Sequence, residues 1–307
     1  MLVLGSRLDN RQRTGNTSNF ASSAQVIVLD IDSEELAKYK ADGYATAVLD
    51  FKELPALLQR LEVPEPSPAW LDYMARMQAR YAGTCQSSHA VAHGSQSPYG
   101  IIRRITDLVA HDAIIANDTG AALCWFFQAF HRTGQTIFTA GGNSPMGYAL
   151  PAAIGAKLTA PDRQVVCFSG DGGFQVNIQE LQTAVAYNLD MTLIIMNNFG
   201  YGIIKQFQDA YLGGRYHATT DGYSQPDFGK IAQAYGIAYH RIERPDQITA
   251  QMLSTKGIRL LDIILDPHTQ IEPKVEMGRP LNDQFPYLDD DEWAQGNAFV
   301  SYERVGR

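Results

Sequence analysis

A buried-strand run, Gln164-Val-Val-Cys-Phe-Ser169, ends on Gly170-Asp171-Gly172-Gly173, and a second apolar run, Met191-Thr-Leu-Ile-Ile-Met196, ends on Asn197-Asn198. Phe174 to Asn188 between them carry helical spacing, so the whole stretch reads as one strand–turn–helix–strand unit. Such a unit sets Asp171 and Asn198, 27 positions apart (198 − 171), at the carboxyl ends of neighbouring parallel strands. That is where α/β sheets bind ligands. A carboxylate and a carboxamide oxygen placed there can clamp a hard divalent cation, which in turn holds a diphosphate.

The glycine turn leads straight into a helix, and bare N–H groups at a helix N-terminus make a ready anion site. A Gly-Asp-Gly triplet alone is weak evidence, since tight turns use the same residues. The Asn197-Asn198 pair is harder to explain as structure. Asparagine is a poor strand residue and costs free energy when buried unless its amide is satisfied.

The chain has 307 residues, 45% of them hydrophobic and 19% charged, enough for one large or two modest domains. Lys+Arg 25 against Asp+Glu 33 gives −8, with the acids scattered apart from Asp289-Asp290-Asp291-Glu292. Nothing here attracts a polyanion, which argues against a nucleic-acid partner. The apolar runs stop short of a membrane span, and the N-terminus lacks the basic region and cleavage site of a signal peptide. Cys85, Cys124 and Cys167 have no motif spacing, and the last two read as small hydrophobes in apolar segments. A reducing cytoplasm fits. His89 and His93 fall in a polar loop near Cys85 without a further ligand at motif spacing, and read as loop residues.

The expected organisation is an α/β fragment over 1–62, a linker with a helix over 63–97, a larger domain over 98–272 and a C-terminal tail or lid over 273–307. In the first part, Leu2–Leu4 and Val26–Ile31 read as strands, Ser33 as the cap of a helix, and Phe51–Leu61 as a second helix. Val63-Pro-Glu-Pro-Ser-Pro68 is a linker by composition, followed by a helix over Trp70–Tyr81. From Pro98 onward, β and α segments alternate, which predicts an α/β fold with a parallel sheet covered on both faces.

These residues resemble a known family. Gly170-Asp-Gly-Gly-Phe174 with Asn197-Asn198 is similar to the signature of thiamine diphosphate enzymes. The surroundings resemble acetolactate synthase catalytic subunits: Met146 to Ala156, Gly213-Gly-Arg-Tyr216 with Ala218-Thr219, and Pro226 to Gly236 follow that pattern. More loosely, so do Gly5-Ser-Arg-Leu-Asp9, Thr14-Gly-Asn16 and Leu29-Asp-Ile-Asp32. The resemblance implies a thiamine diphosphate-binding domain over 98–272 preceded by part of a Rossmann-like middle domain. Asp171, Asn198 and the carbonyl of Gly200 are the implied Mg²⁺ ligands. Gly170 and Tyr201 flank them, and backbone N–H groups of Gly172, Gly173 and the segment Asp118-Thr119-Gly120 are the implied phosphate donors. Met146 would wedge the cofactor into a bent shape, with the Ser144 carbonyl on its amino group. The bland reading of Met146 is gap-filling core.

The implied activity is decarboxylation of a 2-oxo acid and transfer of the enamine to an acceptor, in a homo- or hetero-oligomer. The glutamate that activates this cofactor lies on a separate domain in the family, and these residues do not include it. Glu180 reads as a polar-face residue. The expectation is a half-site that binds the metal diphosphate and turns over only with a chain carrying the pyrimidine-binding domain. The alternatives are an inert fragment or subunit, or a 2-oxo acid decarboxylase. Four departures bear on the reaction. Ala121-Ala122 replaces Gln-His, Phe207 replaces a tryptophan of the acceptor pocket, Ser144-Pro145 replaces smaller or more flexible residues, and Ile204 stands where simple decarboxylases carry a glutamate. Arg7, Arg11, Asp30 and Asp50 lie in segments that contribute to an FAD site in acetolactate synthases. Here half of that domain is lacking, and they read as solvated loop charges.

Overall fold

The computed structural model describes residues 1–13, 16–62, 65–81, 97–254 and 256–299. The chain packs as two compact units, residues 1–82 with 272–307, and residues 83–271.

In the smaller unit β1 (Leu2–Leu4), β2 (Ile27–Asp30) and β3 (Ala45–Val48) form a parallel sheet in that order. The helix Ser33–Ala41 is capped by Asp32 rather than Ser33. The Asp32 carboxylate accepts the N–H groups of Glu34 and Glu35, and Ser33 becomes the first helical residue. That helix seats Leu36 and Tyr39 against Val3 and Val28. The predicted helix over Phe51–Leu61 shrinks to Leu54–Leu58. Part of the C-terminal segment belongs to this unit. The Tyr81 hydroxyl donates to the Glu292 carboxylate at 2.7 Å, Arg80 pairs with the same group at 2.7 Å, and Trp70 and Tyr73 pack on Phe299.

The larger unit is built on six parallel strands: β4 (Ile114–Asn117), β5 (Thr136–Phe138), β6 (Val165–Gly170), β7 (Thr192–Asn197), β8 (Ala238–Ile242) and β9 (Arg259–Ile264). Their order across the sheet is β5-β4-β6-β7-β9-β8. This is the α/β parallel-sheet class that the alternation predicts. Side chains along each strand go alternately to two cores. Ile115, Val166, Phe168, Ile194 and Met196 pack with the helices Pro98–Leu108 and Ala121–Ala129. Ile114, Ala116, Val165, Cys167, Leu193 and Ile195 pack with the helices Ala149–Thr159 and Asp171–Val176. Each such side chain contributes about 1.5–3 kcal/mol on full burial, which explains the unbroken apolar runs. Cys167 is one of these packing residues. Burial pushes its thiol well up, so it stays protonated and inert.

The strand order fixes where a ligand can enter. The chain leaves β4 for β5 on one side and leaves β6 for β7 on the other. The helices that follow β4 and β6 therefore lie on opposite faces, and the carboxyl ends of β4 and β6 between them are where a sheet of this order binds ligands. The helix predicted over Phe174–Asn188 is broken. It begins earlier, at Asp171, stops at Val176, and resumes through a short turn into Leu181–Ala186. The break falls at Asn177 (φ −125°), whose side-chain amide donates to the Gly147 carbonyl at 2.9 Å. Among the described residues, no helix is long and apolar enough to cross a membrane.

Candidate functional site

Asp171 stands at the carboxyl end of β6 and opens the helix Asp171–Val176, with 1% of its surface exposed. Its Oδ2 accepts the Gly200 N–H at 2.9 Å and the Tyr223 hydroxyl at 2.8 Å. Burial outweighs these donors and pushes the carboxyl up to about 6. A carboxylate kept this dry calls for a positive charge. Burial and the adjacent Asp171 carboxylate push the Tyr223 phenol well up, so that it remains a donor.

Asn198 is the next residue of the cluster. It follows β7, is 4% exposed, and its Nδ2 is buried without a hydrogen-bond partner. Phe199 behind it adopts a left-handed φ of 57°, a conformation uncommon outside glycine. The Asn197 side-chain oxygen accepts the Phe199 N–H at 3.2 Å and holds that reversal. The chain then passes Gly200, whose carbonyl accepts the Gly202 N–H at 3.0 Å and keeps a second lone pair. Asp171 thus meets the Gly200 backbone directly, and Asn198 lies two residues before that glycine. Carboxylate, amide and carbonyl oxygens form a hard-donor set that suits Mg²⁺ rather than a soft or imidazole-seeking metal.

The glycines leave the room this crowding needs. A Cβ on Gly172 would lie 2.3 Å from the Tyr201 ring, and one on Gly173 would lie 2.9 Å from Asp118 Oδ1. Tyr201 in turn meets Tyr223 edge-on, at 4.9 Å between centroids.

Asp118, at the end of β4, is 2% exposed and has a different part from the expected one. Its carboxylate accepts the N–H groups of Thr119 at 2.8 Å, Gly147 at 3.2 Å and Ala149 at 3.1 Å. Its own N–H donates to the Phe168 carbonyl at 2.9 Å. The N–H groups of Asp118 and Thr119 are therefore both engaged within the protein, which leaves Gly120 (φ 81°) as the donor of that segment facing the adjoining helix start. Asp118 anchors the loop that carries Ser144 and Met146. Ser144 sits in a left-handed conformation (φ 44°) after the turn Gly141–Asn143. Met146 is 37% exposed, which rules out the gap-filling core reading. Glu180 accepts the Thr183 hydroxyl at 2.8 Å, as a helix-face residue does.

Residues 118–263 match the family described as thiamine pyrophosphate enzyme, C-terminal TPP binding domain. The larger unit belongs to the thiamine pyrophosphate enzymes. The chain is 34% identical over 284 residues to the acetolactate synthase isozyme 1 large subunit of Escherichia coli (strain K12), which takes in 91% of this chain and 49% of that protein. It is 31% identical over 327 residues to the acetolactate synthase large subunit of Corynebacterium glutamicum, taking in 99% of this chain and 51% of that protein. The chain spans about half the length of the curated relatives it matches.

Within this thiamine pyrophosphate domain, three residues of the site carry no sequence signal. Tyr223, Gln225 and Asp262 reach the motif only through the fold, from 52, 28 and 65 positions away. The residues tied to a flavin have local partners in the smaller unit. Arg7 pairs with Glu35 at 3.4 Å, Asp50 with Lys52 at 3.6 Å, and Asp30 accepts the Asp32 N–H at 3.0 Å. The Arg11 side chain, Cys85, His89 and His93 lie outside the described residues.

Proposed function

We propose that the larger unit holds thiamine diphosphate through Mg²⁺, with Asp171, Asn198 and the Gly200 carbonyl as protein ligands. The observation that carries this reading is the Asp171 carboxyl at the end of β6, dry, raised to about 6 and bonded to the Gly200 backbone two residues after the buried Asn198. N–H groups of Gly172 and Gly173, at the start of the helix after β6, face the phosphates, with Gly120 opposite. Met146, left partly exposed, supports the ring system, and the Ser144 carbonyl accepts from its amino group.

When bound, thiamine diphosphate supplies the electron sink that lets a 2-oxo acid lose carbon dioxide. This chain's residues bind and orient it, and Asp171 neutralises the cation. The activity we assign is that of a 2-oxo acid carboligase in an oligomer. Ile204, half exposed on the helix Gly202–Tyr211, offers no proton to a product carbanion, which favours transfer to an acceptor over aldehyde release. The Asp118 carboxylate is taken up by three backbone N–H groups, and Asp171 is assigned to the metal. We therefore assign cofactor activation to a glutamate outside residues 1–307, so that turnover needs a further segment or partner chain.

Calorimetric titration of the chain with thiamine diphosphate and Mg²⁺ tests the site. Saturable binding, abolished by chelator and by Asp171→Ala, is expected. Absence of binding by the wild type, or unchanged binding by Asp171→Ala, sinks the assignment. Turnover of pyruvate by this chain alone would overturn the placement of the activating glutamate.

A further inference from the structure

Two donors to Asp171, the Gly200 N–H and the Tyr223 hydroxyl, converge on Oδ2 and hold that oxygen against the loop that follows β7. The direction of the Tyr223 proton is itself constrained. The Gln175 side-chain amide donates into the Tyr223 oxygen at 3.2 Å, which turns the hydroxyl hydrogen away from Gln175. Two acceptors remain, Asp171 Oδ2 at 2.8 Å and Gln225 Oε1 at 3.3 Å, and the shorter, charged one takes the proton.

The Gln225 amide is oriented from further back. Asp262 is an acceptor-only carboxylate on β9, 4% exposed, and it receives the Asn197 Nδ2 at 3.0 Å and the Tyr239 hydroxyl at 2.9 Å. Asn197 must then present its oxygen forward, where it accepts Gln225 Nε2 at 3.0 Å as well as the Phe199 N–H. With its nitrogen so engaged, Gln225 can offer only its oxygen to Tyr223. The bonds from Asp262 through Asn197 to Gln225 fix the sense of both amides, and the Gln225 oxygen is the alternative acceptor of the one Tyr223 proton.

We propose that Tyr223 is a positioning residue for the metal ligand Asp171, holding its carboxylate in one-oxygen (monodentate) ligation, and that Gln175, by donating to the Tyr223 oxygen, turns the hydroxyl proton toward Asp171. The proposal rests on the Mg²⁺ site assigned above. It adds a consequence for which ion is preferred. Mg²⁺ demands near-ideal octahedral geometry with single-oxygen ligands, whereas Ca²⁺ accepts a carboxylate that swings to offer both oxygens. Fixing Asp171 through Oδ2 therefore selects the smaller ion.

The test titrates Mg²⁺ and, separately, Ca²⁺ into the full chain saturated with thiamine diphosphate, by calorimetry, for wild type, Tyr223→Phe and Asp171→Asn, alongside apo Tm. Tyr223→Phe keeps the ring against Tyr201 and loses only the hydroxyl. The expected result is Mg²⁺ affinity about tenfold weaker, with Ca²⁺ affinity unchanged or higher, so that the Mg²⁺/Ca²⁺ ratio falls about tenfold or more. Equal weakening of both ions, or wild-type affinities and ratio in Tyr223→Phe, overturns the positioning role. Should Tyr223→Phe fold poorly, Gln175→Met, which releases the hydroxyl to rotate, must lower the same ratio, and an unchanged ratio there overturns the proposal too. Failure of the wild type to bind either ion, or full binding by Asp171→Asn, instead removes the underlying metal site.

Discussion

The α-carbon of Gly200 lies so close to the carbonyl of Thr219 that a methyl group added there would sit 2.6 Å from that oxygen. Two backbone segments, the turn after β7 and the segment that follows the helix Gly202–Tyr211, are pressed together at this point. The Thr219 side is itself pinned, since the Thr219 hydroxyl donates to Gln208 Oε1 at 2.5 Å and the Gln208 amide donates to the His217 carbonyl at 3.1 Å.

Gly200→Ala is therefore expected to push the turn away rather than be absorbed. The Gly200 N–H would leave Asp171, and the Gly200 carbonyl would leave its place beside Asn198. We expect a stability loss of roughly 1–3 kcal/mol, the size of a strained backbone contact, in denaturant unfolding. Mg²⁺-dependent binding of thiamine diphosphate should fall by at least about tenfold. Wild-type affinity in a folded Gly200→Ala protein would remove the turn from the site.

The raised carboxyl of Asp171 makes stability depend on pH. The folded-state value, about 6, lies above the ordinary aspartate value of 3.8, so the folded apo protein holds this proton more tightly than the unfolded chain. The corresponding stability, about 3 kcal/mol at full extent, is present below pH 3.8 and is lost as pH rises through about 6. Asp171→Asn should accordingly raise the apo Tm at pH 7.5 while abolishing Mg²⁺ binding, a trade of function for stability. In the wild type, Mg²⁺ affinity should drop by about tenfold per pH unit below pH 6, because proton and metal compete for the same carboxylate. Thermal unfolding and calorimetry between pH 5 and pH 8 measure both effects; a flat difference between wild type and Asp171→Asn would contradict the cause assigned here.

Asp118 should behave in the opposite way. Its two oxygens satisfy three backbone N–H groups, and removing them strands buried donors. Asp118→Ala is expected to cost roughly 3–5 kcal/mol, and Asp118→Asn, which keeps one good acceptor, about half of that. The Mg²⁺ affinity of folded Asp118→Asn should stay within about threefold of wild type, well under one tenfold step. A selective loss of metal affinity with unchanged urea midpoint would make Asp118 part of the ligand site instead of its anchor.

How much of this could be read from the residues follows from the range of the interactions. β6, the glycine turn and β7 are legible because their signals are local: apolar runs broken by residues that only a turn or a ligand explains. The helix between them is misread as continuous because Asn177 breaks it for a partner, Gly147, 30 positions earlier. β3 escapes notice because Ala45-Thr-Ala-Val48 has a weak strand signal until it is paired with β2. Asp118 lies in the right segment, yet its carboxylate rather than its N–H is the working group, and spacing cannot distinguish these. Tyr223 and Asp262 leave no trace, since a tyrosine in a polar loop and an aspartate in a strand announce nothing until the sheet order brings them to Asp171 and Asn197.

Met146 separates packing from binding most cleanly. It is 37% exposed, so truncation should cost about 1–2 kcal/mol, less than loss of a fully buried methionine. The loop around it is held independently, by the Asp118 carboxylate on the Gly147 N–H and by Asn177 on the Gly147 carbonyl. Met146→Ala should therefore leave the fold and the Mg²⁺ donors in place while removing the apolar support under the cofactor's rings. The expected outcome is thiamine diphosphate binding weakened about tenfold or more at saturating Mg²⁺, with binding of inorganic pyrophosphate plus Mg²⁺ unchanged. Equal losses for both ligands would mean that the side chain serves the diphosphate end of the site, and the wedge role would be withdrawn.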